Sequence, residues 1–226
     1  PLKRSSPIKV ICFDFDGTIV DTMPFLERIA VSLIVGNYGL AEEEARRRYI
    51  ETTGLPFFQQ LETIFGGDER NHRVAAQFEK MKRDGFFSQK PCDGAVEVLS
   101  KMREMGLFTA ISSSTYEDLV KSYCASASLE ADMIMGYKPG FEKGKDHFDN
   151  IKRLLGVEYR EIVFIGDSLN DLRRSKSCGV SFMGLKGLFC EEDFRRVDPA
   201  CMVLENIKGV PAAVGRLLAG DEEQDG

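Results

Sequence analysis

The sequence predicts an α/β fold: a parallel sheet covered by helices on both faces and interrupted by one helical insert. Three observations carry that expectation. Short apolar runs alternate with amphipathic stretches along most of the chain. Several of those stretches end in glycine, as helix C-termini often do. One long interval holds no strand-like run at all.

The first strand-like run is IKVICF (8–13), apolar from Val10 onward as a strand covered on both faces must be. From about Met23 to Lys90 the rhythm breaks. FLERIAVSLIVGNYG, AEEEARRRYIETTG, PFFQQLETIFGG and RNHRVAAQFEKMKRDGFF all read as helical, an insert of about seventy residues. Beyond it the strand-like runs LFTAI (107–111), DMIMG (132–136), EIVFIG (161–166), VSFMG (180–184) and CMVL (201–204) return. The helical stretches DGAVEVLSKMREMG, STYEDLVKSYCAS, KDHFDNIKRLLG, DSLNDLRRSKSCG and IKGVPAAVGRLLAG lie around and between them. The expected division is a sheet domain of residues 1–22 and 91–226 and a helical domain of 23–90. An insert that leaves at the carboxyl end of the first strand should sit over the edge where open α/β sheets bind ligands.

Hydrophobic residues make up 43% and charged residues 29%, which supports a substantial buried core. No apolar run approaches the ~20 residues of a membrane span, and the basic start PLKRSSPIKV lacks an apolar signal region, so neither a membrane partner nor secretion is expected. Six cysteines without a CxxC, and only His72 and His147, speak against zinc and for buried thiols in a reducing, cytoplasmic compartment. The net charge of −6 speaks against nucleic acid. It leaves small anionic substrates open, because a metal ion and one or two lysines can reverse the local field. No segment specifies an oligomeric state, and the acidic tail GDEEQDG is the one stretch expected to be disordered.

FDFDGTIVDT (13–22) sets Asp14 and Asp16 directly behind the first strand. Alternation sends residues i and i+2 the same way while a strand persists, and Gly17 lets the chain turn. Two carboxylates so close repel unless a cation sits between them or one keeps a proton. A bare DxD also fits a helix-capping aspartate with a solvated neighbour.

The longer series has more to say. DxDGT(I/V)xD after an apolar run, a later strand ending in serine, a lysine ahead of a helix, and GDSxxD after another strand together resemble the haloacid dehalogenase (HAD) superfamily of phosphohydrolases. The ordered matches run from Ile8 to Asp171. The resemblance implies a Rossmann-like parallel-sheet core with a small α-helical cap, and a magnesium-dependent phosphatase acting on a small phosphorylated metabolite. It implies Asp14 as the nucleophile that forms an aspartyl-phosphate, and Asp16 as general acid and then base. Mg2+ is expected on Asp14, Asp167 and the main-chain carbonyl of Asp16, with Asp171 orienting metal waters or the lysine. Gly17 and Thr18 shape the turn against the substrate, and Asp21 supports the loop into the insert.

Ser112 is expected to bind the transferring phosphoryl group through its hydroxyl, and Ser113 through its N–H. Ser114 and Glu117 fit a capping box, which gives Ser114 a helix-start role. Of the lysines in GYKPGFEKGKDHF, Lys138 lies too far upstream; spacing back from Asp167 favours Lys143, with Lys145 beside it. Asp167 can also cap the helix that follows it. The segment ETTGLPFFQQL looks like the cap loop that reaches into the site in related enzymes, so Thr53, Gly54 and Leu55 are expected to face substrate. Arg46, Arg47 and Arg48 point in different directions on a helix and read as a solvated face rather than an anion site. The alternatives are a phosphomutase of the β-phosphoglucomutase type, which shares these motifs, and a catalytically silent binding protein. Phosphonatase chemistry would need a cap lysine, and Lys80, Lys82 and Lys90 are expected to be exposed.

Overall fold

The structure is a computed structural model, and it describes residues 8–219. Residues 1–7 of the basic start and the GDEEQDG tail lie outside the described residues. Six parallel strands form one sheet: β1 (Val10–Phe13), β2 (Phe108–Tyr116), β3 (Met133–Tyr137), β4 (Ile162–Gly166), β5 (Ser181–Leu185) and β6 (Met202–Leu204). Their order is β3-β2-β1-β4-β5-β6. The chain therefore winds outward from β1 in one direction, then crosses back and winds outward in the other. That reversal leaves a crevice beyond the carboxyl ends of β1 and β4, the place where doubly wound sheets bind ligands. Register puts Phe13 beside Ile111 on one side and beside Ile165 on the other.

Both sheet faces are buried, as the uninterrupted apolar runs require. Alternation along β1 sends Ile11 and Phe13 to one face, packed with α5 (Ala95–Glu104), α6 (Glu117–Ser126) and α10 (Val210–Ala219) through Leu99, Met102, Val120, Tyr123 and Val214. Val10 and Cys12 go to the other face, against Phe148 and Ile151 of α7 (Lys145–Leu155). Leu172 of α8 (Leu169–Cys178) and Phe194 of α9 (Glu191–Val197) form a smaller cluster alongside. The short helix α9 was not among the stretches legible from periodicity.

The interval without strands is helical: α1 (Met23–Tyr38), α2 (Glu42–Thr52), α3 (Phe57–Phe65) and α4 (Asn71–Phe86). These four helices bury a core of their own, with Ile29 and Ile34 from α1, Tyr49 from α2, Phe57 and Leu61 from α3, and Val74 and Phe78 from α4. Among the described residues no helix is long and apolar enough to cross a membrane. The six cysteines are all unpaired; Cys12, Cys124 and Cys201 are buried as expected, whereas Cys190 is exposed.

Two local expectations are corrected. The strand expected to stop at Ile111 runs on to Tyr116, with a register shift against β3 between Ser112 and Tyr116, so α6 begins at Glu117. Ser114 therefore starts no helix, and Glu117 pairs instead with Lys121 and Lys138. Further on, the side-chain cap of α8 is Ser168, whose Oγ accepts from the Asp171 N–H, so Asp167 is free of capping.

The separate helical core gives the first expectation for experiment. Leu61→Ala at a fully buried position should cost about 2–5 kcal/mol in urea unfolding. Hydrogen exchange should rise in α1–α4 more than in β1 and β4.

Candidate active site

The crevice gathers side chains from the ends of β1, β2 and β4 and from the loop before α7. Asp14 leaves β1 with its N–H still donating to Ile165 O at 2.7 Å, which fixes it beside β4. Asp167 leaves β4 next to it, and Asp171 follows within the first turn of α8. Carboxylate oxygens of Asp14, Asp167 and Asp171 all lie within 4.8 Å of one another, and all three residues are buried. Lys143, also buried, places Nζ 2.7 Å from Asp14 Oδ1 and 2.7 Å from Asp171 Oδ1. The Phe15 N–H donates to Asp14 Oδ1 at 2.5 Å.

Three buried carboxylates against one ammonium leave a deficit of positive charge. Burial pushes the Asp14 carboxyl well above its ordinary value, and repulsion from Asp171 and Asp167 adds to this while Lys143 opposes it. Burial, with Asp171 next, likewise pushes Asp167 up to about 7. Burial would lower Lys143, but Asp14 and Asp171 more than reverse that and hold it above its usual value. Asp171 Oδ1 has the ion pair with Lys143 but no well-directed hydrogen bond, which leaves a buried oxygen open to another cation. An all-oxygen donor set of this charge suits a hard divalent ion such as magnesium.

Asp16 takes different partners from Asp14, because β1 ends at Phe13 and period-two alternation no longer governs the turn. Its Oδ1 accepts from Thr22 Oγ1 at 2.9 Å and its Oδ2 from Thr115 Oγ1 at 2.5 Å, with Ser113 Oγ at 3.5 Å. Its carboxylate is not part of the three-aspartate cluster. Gly17 has a φ of +80°, and a Cβ there would overlap the Asp167 carboxylate, so only glycine permits the approach of the two loops. Thr18 is buried and its hydroxyl has no partner. Gly17, Thr18 and Asp21 line a pocket of about 600 Å3 on the outer side of Asp167.

Over Asp14 lies a small cavity of about 60 Å3. Asp14, Asp16, Lys143 and Asp167 line its floor, and Thr53, Gly54 and Leu55 close it from the helical unit. The core grips that loop by its main chain: Asn170 Nδ2 donates to Thr53 O at 2.6 Å, Arg174 Nη1 to Gly54 O at 2.7 Å and Ser114 Oγ to Gly54 O at 2.8 Å. Gly54 has a φ of +90°, and a Cβ would sit 2.5 Å from Ser168 Oγ.

Other expected residues are placed elsewhere. Lys145 is exposed and pairs with Asp149, so it does not reach the carboxylates. Ser112 and Ser113 are buried but do not line the cavity; their neighbours Ser114 and Thr115 do. Ser112 Oγ lies 2.8 Å from His147 Nδ1. Burial and then Lys143 push His147 down to about 4, so it stays neutral near pH 7. Arg46, Arg47 and Arg48 are taken up by Glu27, Glu42, Glu44 and Glu51 on the surface.

Lys82 reverses the expectation of exposure: it is buried, lines the cavity, donates to Thr115 Oγ1 and lies 3.5 Å from Asp16 Oδ2. A signal was present in the sequence, since Lys82 falls in the apolar stripe Val74, Phe78, Phe86 at four-residue spacing. Glu79, one turn earlier, also lines the cavity, and its Oε2 is buried without a partner.

The family model for haloacid dehalogenase-like hydrolases matches residues 11–185. A "Probable phosphatase IndB" from Dickeya dadantii is 27% identical, over 92% of this chain and 94% of its own. A phosphoglycolate phosphatase from Mesorhizobium japonicum is 23% identical, over 86% and 89%. The fold is shared with the crystal structure of a predicted phosphatase from Clostridium acetobutylicum, with a TM-score of 0.79 at 18% identity, covering 93% of this chain and 100% of that one.

The carboxylate cluster sets a pH dependence. Because the folded-state pKa of Asp167 is raised, the metal-free folded protein holds a proton that the unfolded chain releases above its ordinary value of 3.8. Stability is fullest below that value and is lost as pH rises toward about 7. Urea unfolding of metal-free protein should show a fall of up to ~1.4 kcal/mol per pH unit between about pH 5 and pH 7. Asp167→Asn should flatten that slope.

Proposed function

The chain belongs to the haloacid dehalogenase-like hydrolase family, in its phosphatase branch, and from that premise we propose that it hydrolyses a small phosphorylated metabolite with magnesium through a phosphorylated Asp14. The observation that carries this reading is the placement of Asp14 at the floor of a closed cavity with Lys143 and two further carboxylates around it. The carboxylates of Asp14, Asp167 and Asp171, with the main-chain carbonyl of Asp16, are the groups that would hold magnesium. When bound, the ion supplies positive charge for the phosphoryl oxygens and keeps Asp14 ionised.

In the first step an Asp14 carboxylate oxygen attacks phosphorus and the bond to the leaving oxygen breaks. Asp16 gives that oxygen its proton, and the alcohol departs. In the second step Asp16 takes a proton from water, the water oxygen attacks phosphorus, and the Asp14–phosphorus bond breaks to release inorganic phosphate. Lys143 offsets the negative charge shared by Asp14 and the transferring group. A neutral His147 that presents Nδ1–H to Ser112 Oγ leaves the serine proton for a phosphoryl oxygen, and the Ser113 N–H would lie beside it. Gly17 and Thr18 hold the turn that brings Asp16 to the leaving side.

Residues 23–90 act in this reading as a cap, and the loop Thr53–Leu55 excludes water during the first step. A cavity of about 60 Å3 favours a short leaving group. It also argues against the mutase alternative, since Arg46, Arg47 and Arg48 are engaged on the surface and offer no second phosphate site. Burial of Lys82 reopens phosphonatase chemistry, in which a lysine attacks a substrate carbonyl. Its Nζ is already engaged as a donor to Thr115 and as counter-ion to Asp16, so phosphate-ester hydrolysis is the better supported reading.

A panel of small phosphate monoesters, assayed for magnesium-dependent phosphate release, tests this. Asp14→Asn should lower kcat by at least about 10³-fold, and rapid quenching should recover phosphate on Asp14 by mass spectrometry. No release by the parent protein across the panel would return the chain to the binding-protein alternative.

A further inference from the structure

Glu79 takes no part in the chemistry given to Asp14 and Asp16, yet it lines their chamber from α4. It also lines an open groove of about 660 Å3 between α3, α4 and the ends of β2 and β3. Pro56, Phe57 and Ser114 border both spaces with it, so Glu79 stands where the chamber meets the groove. Its Oε2 is buried and has no hydrogen-bond partner. Other polar side chains of the same wall are engaged. Thr53 Oγ1 donates to Ile50 O at 2.8 Å, Gln60 Nε2 donates to Leu55 O at 3.0 Å, and Lys82 donates to Thr115 Oγ1. Burial raises the Glu79 carboxyl above its ordinary value, and Lys82 opposes the rise. A carboxylate oxygen can only accept, and one buried without a donor bears its desolvation cost uncompensated. A donor from outside the chain would remove that cost.

We propose that Glu79 selects the leaving group: it accepts a hydrogen bond from a hydroxyl or ammonium on the departing alcohol and turns away an alcohol that carries a carboxylate. This deepens the phosphatase reading above and rests on it. The chamber floor is occupied by Asp14, Lys143 and Asp167 around the phosphoryl centre, so the alcohol extends toward the wall of the helical unit. Leu55, Phe57 and Phe78 make much of that wall apolar, and Glu79 is the acceptor set into it. An alcohol with a donor satisfies the empty oxygen. One ending in a methyl group buries that oxygen unpaired, and one ending in a carboxylate meets like charge where water screens little. Lys82 does not reverse this, because its ammonium is already matched to Asp16 at 3.5 Å.

The test uses the full-length protein with magnesium at about pH 8, where a carboxylate is ionised. The probes are esters of nearly equal size: 2-aminoethyl, 2-hydroxyethyl, propyl and carboxymethyl phosphate. Wild type, Glu79→Gln and Glu79→Met are compared for kcat/KM, with urea unfolding alongside. Wild type should prefer the aminoethyl and hydroxyethyl esters to the propyl ester by at least about 10-fold, as one hydrogen bond to a charged group implies. The carboxymethyl ester should be the poorest. Glu79→Met should narrow the preference for donors over propyl to under about threefold. Glu79→Gln keeps an acceptor without the charge, so it should hold the hydroxyethyl preference, lower the aminoethyl one and improve the carboxymethyl ester by about 10-fold. Neither variant should be less stable than wild type, since the oxygen removed has no partner. A loss of stability with the ranking of esters kept, or a wild type that favours the propyl or carboxymethyl ester, would overturn the proposal. If Glu79→Met does not fold by circular dichroism, the aminoethyl-to-carboxymethyl ratio in Glu79→Gln decides it. Wild type active on other phosphate esters but on neither donor ester would overturn this inference alone, whereas release of phosphate from no ester would take the phosphatase reading with it.

Discussion

Burial of three carboxylates around a single ammonium is the constraint on which the rest of the molecule depends. Burial together with mutual repulsion raises the carboxyls of Asp14 and Asp167 in that space, and Lys143 opposes the rise. The cluster is tolerable because the sheet makes it unavoidable. β1 and β4 are neighbours at the winding reversal, so whatever follows each strand is delivered to the same crevice. The site therefore holds more negative than positive groups in one buried space. Lys143 alone prevents outright repulsion, which explains why a lysine is buried at a position where the general rule would expose it.

Much of the fold was legible because apolar runs and amphipathic stretches alternate cleanly, and the helical insert stood out as the interval that lacked strands. What escaped was decided by tertiary contacts. Continuation of β2 through three serines is one case: β3 lies alongside and a register shift accommodates the extra residues, which no local propensity announces. The three-aspartate geometry, the cavity and the position of Lys143 follow from residues singled out by motif. Lys145 could not be separated from Lys143 by spacing alone, because the two differ by the direction in which the chain enters α7. One side chain points to the crevice and the other to solvent.

The contributions of the helical unit were the least legible part. Lys82 and Glu79 are charged residues of α4, and packing of that helix over the crevice sets both against the cavity. A lysine in register with Val74, Phe78 and Phe86 is a local contradiction of the binary pattern, and such contradictions mark functional positions more often than errors. Ser112 shows the converse. Its expected partner was a phosphoryl group, and its partner in the protein itself is His147, a residue with no signature in the sequence.

The core holds the loop at Thr53 and Gly54 by carbonyl oxygens, through the side chains of Asn170, Arg174 and Ser114. Every residue type has a carbonyl, so apart from the space that Gly54 must leave for Ser168 the grip is indifferent to what the loop displays. Recognition and fastening are thereby uncoupled. Exchange of Thr53 or Leu55 would change what the chamber wall displays while the clasp that shuts it stayed in place.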